Sequence, residues 1–210
     1  MKIGVLVSGG GTNLQALIDY ENATENCPYT IAAVFSDHKN AFALERAKNA
    51  DIPTEIVSPY AVMGMEKAAA AAVEEKRRAV SDKVLELCRK YEIELIVLAG
   101  WLTVLSSRII NEFSGRIINI HPALLPKFGG VGMYGSRVHE AVIAAGETES
   151  GCTVHLVDSG CDTGKILVQK KVPVLKDDTP ETLYARIAPS EHKAIVEAVC
   201  LMCGDKSRRD

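Results

Sequence analysis

The segment Asn119-Ile120-His121-Pro122 carries side chains that could catalyse a reaction at a carbonyl group. Because residues two apart on a β-strand point to the same face, Asn119 and His121 are expected to project together. An imidazole can donate or accept a proton near neutral pH, and an amide NH₂ can donate a hydrogen bond to a developing oxyanion. The pair is therefore a candidate site for acyl-type chemistry. The alternative, that the triplet only satisfies loop backbone groups, stays open at this point.

The alternating apolar residues from Arg116 to Ile120 predict a β-strand that would position this pair. Pro122 cannot donate a hydrogen bond to a sheet, and it disfavours helical backbone at the residue before it. The strand is therefore predicted to end at His121, with both side chains at its carboxyl end.

A second candidate site is the glycine-rich run at residues 8–14, Ser-Gly-Gly-Gly-Thr-Asn-Leu, between a predicted strand and a predicted helix. Three consecutive glycines let a ligand approach the backbone, and the N–H groups at a helix start attract an anion such as phosphate. The spacing differs from both the dinucleotide fingerprint and the nucleoside triphosphate loop. The alternative is a tight turn in which Thr12 caps the helix.

A third candidate is Asp162, which lies on the glycine-flanked loop of residues 158–164. Its carboxylate could approach His121, hold the imidazole and raise its pKa through the opposite charge. The alternative is a turn residue that caps its own backbone. Aspartic proteases pair two Asp-Thr-Gly loops, and this chain has one, so that class is not indicated.

Strand-like and helix-like segments alternate along the chain, which predicts an α/β fold: a mostly parallel, twisted, Rossmann-like sheet with helices on both faces. The connection between residues 157 and 165 is too short for a parallel crossover, so an antiparallel strand is predicted near the carboxyl terminus. The predicted strands are 2–8, 31–36, 54–57, 95–99, 116–120, 153–157 and 165–172, and the predicted helices are 13–20, 42–49, 67–91, 136–145 and one starting at Thr179-Pro180-Glu181.

Composition indicates an ordinary globular chain: 210 residues, 47% hydrophobic, 24% charged, with a net charge of -3. One domain of this length can bury a substantial core. The longest apolar run, residues 93–105, is too short to span a membrane, and the amino terminus predicts a strand rather than a signal peptide. The slight acidity argues against binding to a nucleic-acid backbone. A cytoplasmic location is the simplest expectation.

The six cysteines lack the clustered spacing of a zinc site or a disulfide scaffold, so reduced thiols and no metal site are expected. Cys200 and Cys203 have a Cys-x-x-Cys spacing without a second ligand pair, and they are predicted to be packing or surface residues.

The four remaining histidines are not predicted to be catalytic, because none is expected to have the strand-end amide and the loop carboxylate that His121 would have. Surface positions are predicted for His38 and His192, a helix position for His139 and a strand position for His155.

Together these features resemble the glycinamide ribonucleotide (phosphoribosylglycinamide) formyltransferases, folate-dependent members of the formyltransferase superfamily. The matching stretches are residues 3–15 (IGVLVSGGGTNLQ), 33–36 (AVFS), 97–101 (VLAGW), 118–126 (INIHPALLP), 151–157 (GCTVHLV) and 166–174 (ILVQKKVPV). The Asn-x-His-Pro segment with a downstream Asp is shared by the superfamily, so it indicates the chemistry. The glycine-rich start is narrower and is similar to the family's loop for the ribonucleotide phosphate.

The resemblance implies formyl transfer from 10-formyltetrahydrofolate to the primary amine of glycinamide ribonucleotide in purine biosynthesis. It implies that no metal is required and that the ligands are small molecules, with no nucleic acid or membrane as a partner. It also implies a monomer or a homodimer. It also implies one formyltransferase domain over residues 1–210, with a phosphate-binding half at 1–100 and a folate-binding and catalytic half at 101–210.

Residue by residue, the resemblance implies a catalytic trio of Asn119, His121 and Asp162. It implies ribonucleotide contacts at Gly11, Thr12, Asn13 and Glu191, and folate contacts at Arg78, Leu102, Thr103, Val104, Leu105, Asn119, Asp158 and Asp162. Two departures are visible: Leu102-Thr103 stands where the family often has Met-Arg, and the loop at residues 129–135 is longer and richer in glycine than in many relatives.

Two other users of the same formyl donor are alternatives. A methionyl-tRNA formyltransferase is expected to carry a further carboxyl-terminal domain and a basic face, and a formyltetrahydrofolate hydrolase an amino-terminal regulatory domain. This sequence shows neither. A non-catalytic module that senses a phosphorylated metabolite is the alternative from another class, and the intact trio argues against it.

Overall fold

The computed structural model describes residues 1–204, which fall into two compact units: Met1–Ile117 and a second unit that begins at Ile118. The organisation as a single domain with halves meeting at residue 100 stays a prediction. None of the helices within residues 1–204 is both long and apolar enough to cross a lipid bilayer.

The first unit has a parallel sheet in the order β3-β2-β1-β4. Its central strands β1 and β4 are almost entirely apolar and buried, as expected for parallel strands that are covered on both faces. The elements are β1 (Lys2–Val7), α1 (Thr12–Ala23), β2 (Thr30–Ser36), α2 (Phe42–Asn49), β3 (Thr54–Ile56), α3 (Pro59–Met63), α4 (Met65–Ala70), α5 (Val73–Lys90), β4 (Leu95–Leu98) and α6 (Ser107–Glu112).

The second unit is built on antiparallel strands: β6 pairs with β5 on one side and with β7 on the other. This pairing confirms the antiparallel strand predicted near the carboxyl terminus. The elements are β5 (Ile117–His121), α7 (Ser136–Ala144), β6 (Glu149–Leu156), β7 (Ile166–Pro173) and α8 (Pro180–Gly204). Apolar residues of α8, including Leu183, Ile187 and Ile195, are fully buried. The predicted class, α/β with a mostly parallel sheet, is therefore confirmed.

The single long helix predicted over residues 67–91 is wrong, because the backbone breaks it into α4 and α5. Ala71 and Ala72 are extended, with ψ angles of 145° and 158°, although alanine has the highest helix propensity. Glu74 and Glu75 lie in the first turn of α5, where negative charge favours a helix start. The short helices α3 and α6 were not predicted, since five or six residues carry too little periodicity to reveal a helix.

A buried hydroxyl fixes the backbone that follows β5. Thr153 Oγ1 of β6, fully buried, donates to the Ala123 carbonyl at 2.6 Å and accepts the N–H of Leu125 at 3.1 Å. The Gln169 amide of β7 donates to the same Oγ1 at 2.9 Å and to the Leu125 carbonyl at 3.0 Å. The loop after His121 is therefore tied to two strands.

Replacing this hydroxyl by a methyl group in Thr153→Val is expected to lower the free energy of unfolding by about 1–3 kcal/mol, because buried backbone groups lose their partner. Urea unfolding measures the change. The matched control is Thr148→Val, an exposed threonine just before β6, with an expected change below about 0.5 kcal/mol. Equal, small changes in both variants would show that the Thr153 network does not stabilise the fold.

Candidate active site

The strand β5 ends at His121, as predicted, with Asn119 two residues earlier on the same strand. The ring of His121 is 4% exposed, and Asn119 is half-buried. Buried isoleucines, Ile118 and Ile120, lie on either side of Asn119 in this strand and anchor it in the core. A rigid element of this kind positions reacting groups more closely than a loop does.

The structure places Asp162 against His121 within the second unit. Asp162 Oδ2 lies 3.6 Å from His121 Nδ1, and the same oxygen accepts the N–H of Gly130 at 2.9 Å. Asp162 has a φ of 57°, a left-handed conformation that Asp tolerates better than most residues. The carboxylate therefore reaches the imidazole, as the sequence predicted.

Asp158, not Asp162, caps the turn of this loop. Its Oδ1 accepts the N–H of Gly160 at 3.0 Å and the hydroxyl of Thr163 at 2.6 Å. The turn-capping role considered for Asp162 is therefore performed by Asp158. The side chain of Asp162 faces the imidazole of His121 instead.

The hydrogen bonds of His121 fix the position of its proton. Nε2 lies 2.8 Å from the carbonyl oxygen of Phe128, which can only accept, so Nε2 carries the hydrogen. In the neutral ring Nδ1 is then bare and faces the carboxylate of Asp162. Protonation at Nδ1 would turn this contact into an ion pair, so Asp162 favours the charged form of the ring.

Burial lowers the pKa of His121 below its ordinary value of 6.5, although the charge of Asp162 and the hydrogen bond to Phe128 act in the opposite direction. Asp162 raises this pKa as predicted, but desolvation outweighs its charge, so the net shift is downward. Burial alone would raise the pKa of Asp162, but its polar contact with His155, the hydrogen bond from the Gly130 N–H and the charge that the two imidazoles carry when protonated bring it below its ordinary value of 3.8. The carboxylate is ionised at neutral pH.

His155 belongs to this cluster, and sequence reasoning missed it. It faces Asn119 across the β5–β6 pair, with its Nε2 3.2 Å from Asn119 Nδ2 and 3.5 Å from Asp162 Oδ1. The reason given for excluding it, that it would have neither a strand-end amide nor a loop carboxylate, is wrong. The prediction that His155 lies on a strand is correct. Pairing that strand in register with β5 would have placed His155 opposite Asn119.

The other histidines lie outside this cluster of contacts. His38 is exposed as predicted, whereas His192 is half-buried on α8. His139 is on α7 as predicted, and its buried ring packs at 5.7 Å from the ring of Tyr184.

The glycine-rich run forms a tight turn at the start of α1 in the first unit. Gly11 is the residue before the helix, with a φ of 71°, and a Cβ there would lie 2.5 Å from the Cβ of Ala43. Only glycine fits this position without strain. Thr12 is the first helical residue, so the alternative in which it caps the helix is wrong. No side chain caps this helix, which leaves its start suited to an anion.

Arg46 of α2 lies beside the same turn and was not identified from the sequence. Its Nε donates to the Gly10 carbonyl at 2.8 Å, and its Nη1 donates to Gln15 Oε1 at 3.0 Å. The guanidinium also lies 5.0 Å from the centre of the Phe42 ring. A fixed positive charge therefore stands next to the candidate phosphate site.

The predicted folate segment, residues 102–105, is anchored by two polar residues of the first unit. The N–H of Leu102 donates to Ser8 Oγ at 2.9 Å, and Thr103 Oγ1 donates to Asp37 Oδ2 at 2.6 Å. Asp37 is buried. The threonine found where the family often has arginine therefore binds a buried carboxylate. The flanking side chains of Leu102 and Val104 are exposed, and that of Leu105 is buried.

Two further residues implied by the resemblance lie on helices. Arg78 is exposed on α5, one turn before Ser81, whose Oγ accepts the N–H of Ser106 at 2.8 Å. Arg78 is therefore on the helix that holds the end of the predicted folate segment. Glu191 is buried on α8, and its charge helps burial to raise the pKa of Cys152 on β6 to about 12.

The six cysteines, all within residues 1–204, are reduced thiols, and Cys203 is buried on α8 with Cys200 half-buried, as predicted. Among residues 1–204, no group of three or more His, Cys, Asp or Glu side chains is arranged to hold a metal ion.

Comparison with known proteins identifies relatives of the whole chain. Residues 1–199 match the family model described as formyl transferase. The trifunctional purine biosynthetic protein adenosine-3 of Drosophila pseudoobscura pseudoobscura is 41% identical over 99% of this chain, which covers 14% of that protein. The chloroplastic phosphoribosylglycinamide formyltransferase of Vigna unguiculata is 37% identical over 98% of this chain, which covers 62% of that protein. The chain thus spans less than two thirds of either relative.

A solved structure agrees with these relatives. The crystal structure of phosphoribosylglycinamide formyltransferase from Brucella melitensis is 37% identical in sequence and has a TM-score of 0.81. The match covers 97% of this chain and 95% of that one.

Proposed function

Because the chain belongs to the formyl transferase family, we propose that it is an enzyme that transfers a formyl group from 10-formyltetrahydrofolate to the primary amine of glycinamide ribonucleotide. The products are formylglycinamide ribonucleotide and tetrahydrofolate, in de novo purine biosynthesis. The observation that carries the proposal is the contact of Asp162 with His121 beside Asn119 at the end of β5. Mixing the protein with both substrates and following folate absorbance tests it.

In this proposal the amine attacks the formyl carbon and produces a tetrahedral intermediate whose oxygen is negatively charged. Asn119 donates an N–H to this oxygen, and His121 donates a second hydrogen bond. The Nε2–H of His121 also donates to the Phe128 carbonyl, so the oxyanion has to share or replace that partner. Donors prepared in this way supply one of the largest contributions to catalysis.

The proton of the attacking amine must reach the leaving folate nitrogen. Asp162 is ionised, and it orients His121 while favouring its charged form. We assign to Asp162 the transfer of this proton through a bound water, because a carboxylate can accept a proton from the amine side and return it to the leaving group. The carbon–nitrogen bond to folate then breaks, and the new amide remains on the ribonucleotide.

The binding roles follow the local structures described above. The backbone at Gly11, Thr12 and Asn13 binds the phosphate, with Arg46 as the adjacent positive charge. Glu191 contacts the glycinamide. The folate is assigned to the backbone of residues 102–105, to the loop from Asp158 to Asp162 and, at its glutamate end, to Arg78.

A side chain in the glycine turn is expected to block the phosphate. At Gly11 the clash with Ala43 would also strain the fold, so Gly10→Val is the sharper variant, because a Cβ at Gly10 meets no atom within 4 Å. We expect the KM for the ribonucleotide to rise on the order of tenfold, with folate affinity unchanged.

Steady-state kinetics with each substrate varied in turn measure this effect. Gly204→Val is the matched control, since a Cβ there also meets no atom within 4 Å and the residue ends α8. Equal weakening of both substrates by Gly10→Val would remove the phosphate assignment.

We also propose a cytoplasmic location and a monomeric or homodimeric state. The support for the location is the ordinary composition of the chain. One relative is named a chloroplastic protein, so location differs among relatives.

A further inference from the structure

The buried imidazole of His155 has three polar neighbours in the second unit. Its Nδ1 lies 2.8 Å from the carbonyl oxygen of Leu156, and its Nε2 lies 3.2 Å from Asn119 Nδ2 and 3.5 Å from Asp162 Oδ1. The ring is 2% exposed. His155 therefore touches two members of the candidate trio and is itself shielded from water.

These contacts determine the tautomer of the ring. A carbonyl oxygen can only accept, so the proton of the neutral ring is on Nδ1, where it is donated to Leu156. Nε2 is then a hydrogen-bond acceptor. The nearer of its two neighbours, the NH₂ of Asn119 at 3.2 Å, is its donor, whereas Asp162 Oδ1 lies further away at 3.5 Å. An amide turned by half a rotation would place its oxygen against the lone pair of Nε2, which is repulsive.

We propose that His155 is a positioning residue that fixes the orientation of the Asn119 amide. With one N–H of the NH₂ group bound to Nε2, the second N–H is available for the oxyanion. The opposite orientation would present the amide oxygen to a negative charge and abolish the stabilisation. The catalytic purpose rests on the proposed function, whereas the orientation itself rests on the contacts of His155 with Leu156 and Asn119.

The strand pairing makes this arrangement rigid. Asn119 and His155 are direct partners in the antiparallel register of β5 and β6, so their separation is fixed by backbone hydrogen bonds. The bond from Nδ1 to Leu156 lies within β6 itself and holds the plane of the ring. His155 thus acts through Asn119 and is not assigned a contact with substrate.

A double-mutant cycle tests the positioning role. His155→Leu removes the acceptor and is expected to lower kcat by about 10-fold to 100-fold. The upper limit is the loss expected when the Asn119 amide, the oxyanion donor, is itself removed. The KM for both substrates should change less than about twofold. His155→Gln offers an amide oxygen as acceptor and is expected to restore most of kcat.

Because His155 acts through Asn119, the variant with both Asn119→Ala and His155→Leu is expected to have the kcat of Asn119→Ala alone. Losses that multiply in the double variant would overturn the proposal, since His155 would then act by a separate route. A His155→Gln variant as slow as His155→Leu would contradict it as well.

The tautomer of His155 can also be measured in the unmodified protein, without relying on catalytic activity. Nitrogen-15 NMR of the histidine rings is expected to show His155 protonated at Nδ1 and bare at Nε2. A ring protonated at Nε2, or at both nitrogens, near neutral pH would overturn the proposal. If formyl transfer were absent altogether, the proposed function would fail, while the tautomer would still show whether His155 orients Asn119.

Discussion

His121→Ala and Asn119→Ala are each expected to lower kcat on the order of 100-fold or more, with little change in the KM of either substrate. Both side chains act on charge that develops only in the transition state, so their loss does not weaken ground-state binding. Both lie on β5, His121 buried at its end and Asn119 two residues earlier, where substitution leaves the strand pairing intact.

Steady-state kinetics measure this result, and circular dichroism confirms that the variants are folded. The matched control is Asn111→Ala, an exposed asparagine on α6 that has no proposed role, with wild-type kcat expected. Near-wild-type turnover in either active-site variant would remove that residue from the mechanism.

Asp162→Asn is expected to lower kcat on the order of 100-fold and to lower the pKa of His121 further. The charge of Asp162 raises this pKa against the effect of burial, so a neutral amide removes the opposing contribution. Asn tolerates the left-handed conformation at this position and can still accept the N–H of Gly130, so the loop keeps its shape.

The pH dependence of the rate is expected to shift together with the pKa of His121. The protonated imidazole is present below the pKa of His121 and is lost as pH rises through it. A lower pKa therefore moves the limb of the pH–rate profile that depends on the protonated ring to lower pH. NMR titration of His121 and the pH–rate profile measure both shifts.

The control for this variant is Asp177→Asn, an exposed aspartate before α8, for which neither the titration nor the rate should change. An unchanged titration of His121 together with full activity in Asp162→Asn would return Asp162 to a purely structural role in its loop.

Local rules were sufficient to predict the strand end and the glycine turn. Pro122 cannot continue a strand ladder, which is why the end of β5 at His121 could be predicted. The glycines between a strand and a helix predicted a turn, and the positive φ of Gly11 explains why glycine is required there. The strand end and the glycine turn depend on residues that are adjacent in the chain, so the sequence pattern is sufficient to predict them.

The features that were missed depend on residues distant in the sequence. His155 meets Asn119 only through the register of β5 and β6, and Arg46 reaches Gly10 from another helix. The pKa of His121 is set mainly by burial in the folded protein, which outweighs the charge of Asp162 that the sequence prediction considered. The helix break at Ala71 runs against the high helix propensity of alanine, so it could not be predicted from this alanine-rich segment.

The most direct test measures the fate of the formyl group. The protein is incubated with 10-formyltetrahydrofolate, with and without glycinamide ribonucleotide, and tetrahydrofolate, formylated ribonucleotide and free formate are each quantified. We expect tetrahydrofolate and formylglycinamide ribonucleotide to appear in equal amounts, and neither to form when the ribonucleotide is omitted. Release of tetrahydrofolate and formate at the same rate without the ribonucleotide would identify a hydrolase and contradict the proposed transfer, as would the absence of any turnover.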